Sequence, residues 1–166
     1  SVDAVSAATP LSEMKFQQSF APTDDLLMGT VAGSVGETSA VLIILAGIYL
    51  LIRRIINWRI PVSILSTVII LTAIFWLIDP AQYPSPQFML FSGGLMLGTF
   101  YMATDLVSSP VTPKGLWIYG IGIGLFVVLI RLFGGLPEGV MYAILLMNAA
   151  TPLINRFTKI KPYGYR

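Results

Sequence analysis

The stretch VLIILAGIYLLI, at positions 41–52, decides the fold class, because its twelve consecutive residues include no charged side chain. The segment GETSA, at 36–40, precedes it and brings Glu37 and Thr38 to the start of the expected helix, where a negative charge is favoured. We predict a membrane span over 36–52, which is about 25 Å long at a rise of about 1.5 Å per residue. This length is close to the lower limit for crossing a bilayer.

Four further apolar runs follow, and we predict spans over 61–78, 88–103, 116–133 and 139–154. Pro61 suits the first turn of a helix, Asp79 and Pro80 end one, and glycines interrupt 88–103. Charged residues make up 11% of the chain and hydrophobic residues 55%, whereas a soluble domain carries roughly 25% charge. The sequence therefore predicts an all-α, polytopic membrane protein with about five transmembrane helices.

The ends of the chain are polar, and five spans place them on opposite sides of the membrane. With residues 1–35 outside, eight of the ten lysines and arginines lie in inside loops or in the tail 155–166. The positive-inside rule then makes 1–35 an extracytoplasmic segment and 155–166 a basic cytoplasmic tail. Because five is odd, a second unit of this kind would be inverted relative to this one, so an inverted repeat remains an open alternative.

The residues that are missing exclude several kinds of chemistry. The chain has no Cys and no His, which excludes disulfides, the usual zinc sites, cysteine-ligated iron–sulfur clusters and histidine-ligated haem. No Ser/His/Asp set or Walker loop occurs, so we assign no catalytic residue and no metal site. The basic residues lie near apolar boundaries rather than in a stripe, which favours the lipid bilayer as a partner over nucleic acid.

Small residues inside the spans predict close helix packing. Gly94 and Gly98 in the third span, and Gly120 and Gly124 in the fourth, have the small-xxx-small spacing that lets two backbones approach. Asn148 and Thr151, in the fifth span, are expected to be interhelical hydrogen-bond partners.

The segment DAVSAATPL, at 3–11, resembles the flavinylation motif Asp-x-x-Ser/Thr-Gly-Ala-Thr through Asp3, Ser6, Ala8 and Thr9. On that motif a flavin transferase esterifies the phosphate of FMN to the final threonine hydroxyl. Further segments are similar, in order, to the D subunit of the Rnf ion-translocating oxidoreductase complex: GSVGETSA (33–40), WRIPVS (58–63), SGGLMLGTFYMATDLVSSPVT (92–112) and IRLFGGLPEGVMYAILLMNAATPLI (130–154). The B subunit of the sodium-pumping NADH:quinone oxidoreductase is a more distant match.

The resemblance implies a subunit of the prokaryotic cytoplasmic membrane that relays electrons through FMN on Thr9. It also implies other subunits of a complex that couples ferredoxin and NAD redox chemistry to Na⁺ or H⁺ transport, without a complete active site in this chain. Family members carry a further membrane half before the motif, so we expect the C-terminal half of such a subunit. Ala7, Leu106 and Asn155 depart from the glycine, proline and aspartate expected at these positions.

Four weaker candidates for contact with the cofactor have simpler alternatives. Glu37 either shapes the flavin's surroundings or caps a helix, and Arg131 either steers the flavin's phosphate or pairs with Glu138 across the GGLP turn. Asp105 lies at the inner side; if it contacts a cofactor, the resemblance implies a second, noncovalent flavin. For the whole chain, a passive channel or transporter for a small solute is the rival function, with polar interruptions such as 92–94 and Glu37 lining the path.

Overall fold

The computed structural model describes Leu11 and residues 39–80, 83–136 and 138–158. All regular structure in this part of the chain is helical. The helices are α1 (Ala40–Ile52), α2 (Arg59–Ile78), α3 (Pro86–Phe91), α4 (Leu95–Leu97), α5 (Pro113–Phe133) and α6 (Val140–Phe157), and a π-helical turn, Gly98–Met102, continues α4. The predicted sites Asp3, Ser6, Ala8, Thr9 and Glu37 lie outside the described residues.

Two of these helices, α2 and α5, are long and apolar enough to cross a membrane, and α1 is a shorter apolar helix. Only 33% of the most apolar window of α2 and 44% of that of α5 is buried within the chain. Large apolar side chains such as Leu42, Leu77 and Ile78 are exposed on the helix surfaces, as lipid contact requires. The protein is therefore an all-α, polytopic membrane protein, as predicted, while the number of spans and their orientation stay predictions.

The helices extend beyond most of the predicted spans. α2 begins two residues before the predicted 61–78, and α5 begins at Pro113, where the hydroxyl of Thr112 accepts the N–H of Gly115 as a helix cap. α6 runs through Pro152 to Phe157, because only the residues around a proline ring lose a helical bond. α1 begins at Ala40.

Glycines on one face of α5 bring its backbone against α2. A Cβ atom at Gly120 would overlap the hydroxyl oxygen of Ser63, and one at Gly124 would lie 2.7 Å from Cβ of Thr67. The hydroxyls of Ser63 and Thr67 donate to carbonyl oxygens of their own helix, so the contact buries no unsatisfied group there. The close packing predicted for this glycine pair is confirmed.

A polar contact joins α5 to α6. The hydroxyl of Tyr119, which is buried, donates to the side-chain oxygen of Asn148. The interhelical role predicted for Asn148 is thus confirmed. The hydroxyl of Thr151 instead donates to the carbonyl oxygen of Met147 in its own helix, at 3.1 Å, so the same prediction for Thr151 is wrong. A threonine in a helix reaches the carbonyl one turn back more easily than a neighbouring helix.

The segment predicted as the third span is broken rather than continuous. α3 ends where the N–H of Ser92 donates to the carbonyl oxygen of Phe88, and Gly93 then takes a φ of 65°, which suits glycine. Helix resumes at Leu95 and widens into the π turn, closed by a 2.7 Å bond from the N–H of Ala103 to the carbonyl oxygen of Gly98. A Cβ at Gly98 would overlap Cγ1 of Val140, so this turn packs closely on α6.

The π turn also holds α1. The ring of Phe100 is buried against Gly47, where an added Cβ would lie 2.6 Å from Cδ1 of the ring. The hydroxyl of Tyr101 donates to the carbonyl oxygen of Ile43 at 3.3 Å. The position of α1 therefore depends on the helical register of Gly98–Met102.

The two ends of the bundle carry different loops. At one end the hydroxyl of Thr112 donates to that of Thr158 at 2.6 Å, and Asn155 accepts the N–H of Val111 at 3.2 Å. At the other end the ring of Phe75 contacts the rings of Tyr83 and Phe133. α5 separates these ends by about 30 Å, given its 21 residues and a rise of about 1.5 Å per residue.

Candidate functional site

Arg131 is buried at the break in the third span. It lies in the last turn of α5, and its side chain is 0% exposed. Its Nη1 donates to the carbonyl oxygen of Met89 at 2.6 Å, and its Nη2 donates to that of Ser92 at 3.1 Å. Carbonyl groups at the end of a helix such as α3 have no partner within the helix. The guanidinium therefore satisfies backbone groups that the break would leave exposed to an apolar surrounding.

Glu138 supplies a negative charge next to the guanidinium of Arg131. Its Oε1 lies 3.7 Å from Nη2 of Arg131 and accepts the N–H of Gly94 at 2.5 Å, while 39% of the side chain is exposed. Gly94 is the residue from which α4 starts, so the carboxylate lies where a helix favours negative charge. The predicted pairing of Arg131 with Glu138 is confirmed.

Leu11 is buried over Gly93, next to this ion pair. The side chain is 1% exposed, and its Cδ1 would lie 2.5 Å from a Cβ added to Gly93. The same Cβ position is 2.9 Å from Oε1 of Glu138 and 3.4 Å from Nη2 of Arg131. We call Gly93, Arg131 and Glu138 the Leu11 socket. Sequence reasoning missed this role, because a single leucine in a polar segment shows no periodicity.

A partly open cavity of about 270 Å³ lies beside the socket, between the third span and the start of α6. Glu138 supplies the one charged side chain among its lining residues, and the other walls are apolar or aromatic. The lining residues are Gly94, Leu97, Met102, Glu138, Val140, Met141 and Tyr142. The site thus combines a carboxylate oxygen with an apolar surface, as sites for flat organic groups do.

Two buried hydroxyls of the broken span have no hydrogen-bond partner among the described residues. They are Oγ of Ser92, in the break, and Oγ1 of Thr99, in the π turn. A buried hydroxyl without a partner is unfavourable. Both hydroxyls lie where this span departs from α-helical geometry.

Asp105 lies at the opposite end of the bundle, exposed to solvent. Its carboxylate accepts the hydroxyl of Ser108 at 2.8 Å and the N–H of Val107 at 3.3 Å. These bonds, above all that of the Ser108 hydroxyl, hold the pKa of Asp105 below its ordinary value. The structure thus brings Arg131 and Glu138 together and leaves Asp105 about one helix length away, so a second flavin at Asp105 stays a prediction.

Metal binding has no support among the described residues. No group of three or more His, Cys, Asp or Glu side chains that could hold an ion occurs in that part of the chain.

Comparison with known proteins identifies the family. A family model described as "NQR2, RnfD, RnfE family" matches residues 1–164. The chain is 46% identical to the D subunit of the proton-translocating ferredoxin:NAD(+) oxidoreductase complex of Clostridium ljungdahlii, over 99% of this chain and 53% of that protein. It is 50% identical to the D subunit of the Na(+)-translocating ferredoxin:NAD(+) oxidoreductase complex of Acetobacterium woodii, over 98% of this chain and 50% of that protein.

A third relative, the D subunit of the ion-translocating oxidoreductase complex of Yersinia pseudotuberculosis, is 41% identical over 99% of this chain and 48% of its own length. The chain spans about half the length of the curated relatives it matches. Because the family model covers nearly every residue, the chain belongs to the NQR2, RnfD, RnfE family.

Proposed function

We propose that this chain is the electron-relaying membrane part of the D subunit of an ion-translocating ferredoxin:NAD⁺ oxidoreductase complex, with FMN esterified to Thr9. The observation that carries the proposal is the similarity to the D subunits of such complexes, at 46% and 50% identity over nearly the whole chain. The flavinylation-like motif of Asp3, Ser6, Ala8 and Thr9 adds the site of attachment.

The described residues fit a flavin in two respects. A phosphoester on a threonine needs no His, Cys or nucleotide-binding fold, and the chain has no Cys and no His. Leu11, two positions after Thr9, is buried in its socket next to the cavity, whose apolar walls and single carboxylate suit a flat ring with an N–H group. When bound, FMN supplies a carrier of one or two electrons.

The chain's own groups have supporting tasks in this proposal. Met102, Met141 and Tyr142 supply apolar and aromatic walls to the cavity, while Glu138 offers an acceptor oxygen within it. Arg131 keeps the broken span in shape through two backbone carbonyl groups. The chain has no Cys and no His to ligate a cluster, and the proposal places the electron donor and acceptor sites for ferredoxin and NAD on other subunits of the complex.

The transported ion is Na⁺ or H⁺. The relatives' names include both a proton-translocating and a Na(+)-translocating complex. Inverted membrane vesicles that contain the complex would separate the two, since a Na⁺-dependent rate of ferredoxin oxidation and uptake of labelled Na⁺ are expected only of a Na⁺ pump.

The test of the flavin is a mass measurement on the chain produced together with its flavin transferase. Thr9 should carry the added mass of FMN less one water, and Thr9→Val should abolish it while membrane insertion is unchanged. Thr23→Val, another threonine of the polar segment, serves as the matched control and should keep the flavin. An unmodified Thr9, in cells whose transferase modifies a second known substrate, would defeat the assignment.

The rival function, a passive channel, has a measurable signature of its own. Solute flux through liposomes that contain the chain, combined with the absence of flavin absorbance after denaturation, would favour the channel over the relay.

A further inference from the structure

We propose that the Leu11 socket is the docking site of the chain segment that carries Thr9. In this arrangement the side chain of Leu11 is the anchor, and the flavin ester is held at the break in the third span. The inference rests on the proposed function for the flavin itself, whereas the docking of Leu11 rests on the contacts of the described residues.

Two features of the Leu11 socket favour glycine at position 93. Gly93 has a φ of 65°, which disfavours any side chain, and an added Cβ would also lie 2.5 Å from Cδ1 of Leu11. A turn between two helices requires only a residue that can adopt the positive φ. The second feature shows that the space above the break is occupied by the leucine.

The charges of the socket explain why its cover is apolar. Arg131 is fully buried and Glu138 is partly exposed, and they lie 3.7 Å apart. An apolar side chain on the buried side of the pair lowers the local dielectric around Arg131, which strengthens its bonds to the backbone carbonyls. Leu11, at 1% exposure, provides this cover.

The chain between the anchor and the attachment site is short. Consecutive Cα atoms are about 3.8 Å apart, so Thr9 can lie only two such steps from Leu11. The residue between them is Pro10, whose ring fixes φ and removes one degree of freedom. Docking of Leu11 therefore restricts a group on Thr9 to the vicinity of the socket and its cavity, which raises its effective concentration there.

The geometry can be tested by cross-linking, because the natural chain contains no cysteine. In membranes that contain the whole complex, Leu11→Cys should form a disulfide with Gly93→Cys or with Glu138→Cys under mild oxidation. Peptide mass spectrometry would detect the linked pair. Leu11→Cys with Val107→Cys is the control, since Val107 is exposed at the opposite end of the bundle, and it should give none. If neither socket position cross-links in folded protein, the proposal is overturned.

The effect on the flavin is tested with substitutions at the anchor. Leu11→Ala should leave the mass of covalent FMN unchanged, lower its fluorescence anisotropy and slow flavin reduction within the complex roughly tenfold. Leu11→Met, which fills a similar volume, should restore both properties. Unchanged anisotropy and reduction rate in Leu11→Ala would overturn the proposal.

The experiments distinguish a failure of the proposed docking of Leu11 from a failure of the proposed attachment of FMN. A wild-type chain without FMN would defeat the proposed function, while the cross-link between positions 11 and 93 would still report on the docking. A chain with FMN and no cross-link at either socket position would defeat the docking alone.

Discussion

The Nη1 atom of Arg131 lies 2.6 Å from the carbonyl oxygen of Met89, a residue 42 positions earlier in the chain, and ties the end of α5 to the break in the third span. A guanidinium at this depth is stable only with partners in place. Its two described backbone contacts and the carboxylate of Glu138 provide them. The arginine is therefore a structural element of the broken span.

Substitution of this arginine tests its role. Arg131→Met keeps much of the side-chain length but leaves the carbonyl oxygens of Met89 and Ser92 without their donors. We expect a loss of stability of about 2–4 kcal/mol, because each bond from a charged donor is worth about 1.5–3 kcal/mol and relaxation recovers part of it. Thermal unfolding in detergent measures the effect. Arg156→Gln, exposed at the other end, should change the unfolding temperature little, and equal effects of the two variants would contradict this role.

The contact between α5 and α2 predicts that an alanine substitution lowers stability at Gly120 but not at Gly135. Gly120→Ala should destabilise the protein by about 1–3 kcal/mol, since its Cβ would overlap the hydroxyl of Ser63 and force the helices apart. Gly135→Ala is the matched control, because nothing lies within 4 Å of the added atom. Adding Ser63→Gly to Gly120→Ala should recover part of the loss. Unfolding midpoints in detergent give the comparison, and a harmless Gly120→Ala would argue against close backbone contact.

The hydrogen bond between Tyr119 and Asn148 predicts a smaller effect. Tyr119→Phe removes the donor and leaves the amide oxygen of Asn148 without this partner inside the bundle. Interhelical hydrogen bonds in membrane proteins average about 0.6 kcal/mol, so we expect a loss of about this size. Tyr49→Phe, on the exposed surface of α1, should be neutral. A double-mutant cycle with Asn148→Leu would show coupling between the two positions if the bond exists in solution.

The loop after the π turn predicts a dependence on pH. Hydrogen bonds from Ser108 and Val107 lower the pKa of Asp105 in the folded protein, so its carboxylate stabilises the loop at neutral pH. This stabilisation is lost as the pH falls below the ordinary Asp pKa, about 3.9, and through the lower value of the folded state. Ser108→Ala should raise the pKa of Asp105, as infrared titration of the carboxyl band would show. An unchanged titration would mean that the Ser108 bond is absent in solution.

The sequence carried strong information about the apolar helices and weak information about the break. Hydrophobic runs indicate α2 and α5, because they are local properties of the sequence, whereas the start of α5 at the Thr112–Pro113 cap was not predicted. The break at Ser92–Gly94 depends on Arg131, which is distant in sequence and supplies the donors for the interrupted backbone. The glycines within 88–103 are visible in the sequence, but the prediction was a single span, without this break or its partners.

In the candidate site, too, local contacts could be predicted from the sequence and distant ones could not. The pairing of Arg131 with Glu138 could be predicted, since a short turn separates them, and the local contacts of Asp105 follow from the serine three residues later. The position of Leu11 could not, because its contacts lie more than 80 positions away. Only the folded chain brings a leucine from the polar segment over an ion pair at the far end of α5.

The π turn sets the angular position of the ring that holds α1. Each residue of a helix is rotated by about 100° from the one before it. Deleting a single residue from Gly98–Met102 would restore an α-helical ladder and rotate Phe100 away from Gly47, which would remove one of the contacts that hold the first apolar helix. The extra residue in this turn therefore determines which side of the helix carries Phe100, and with it the side on which α1 can pack.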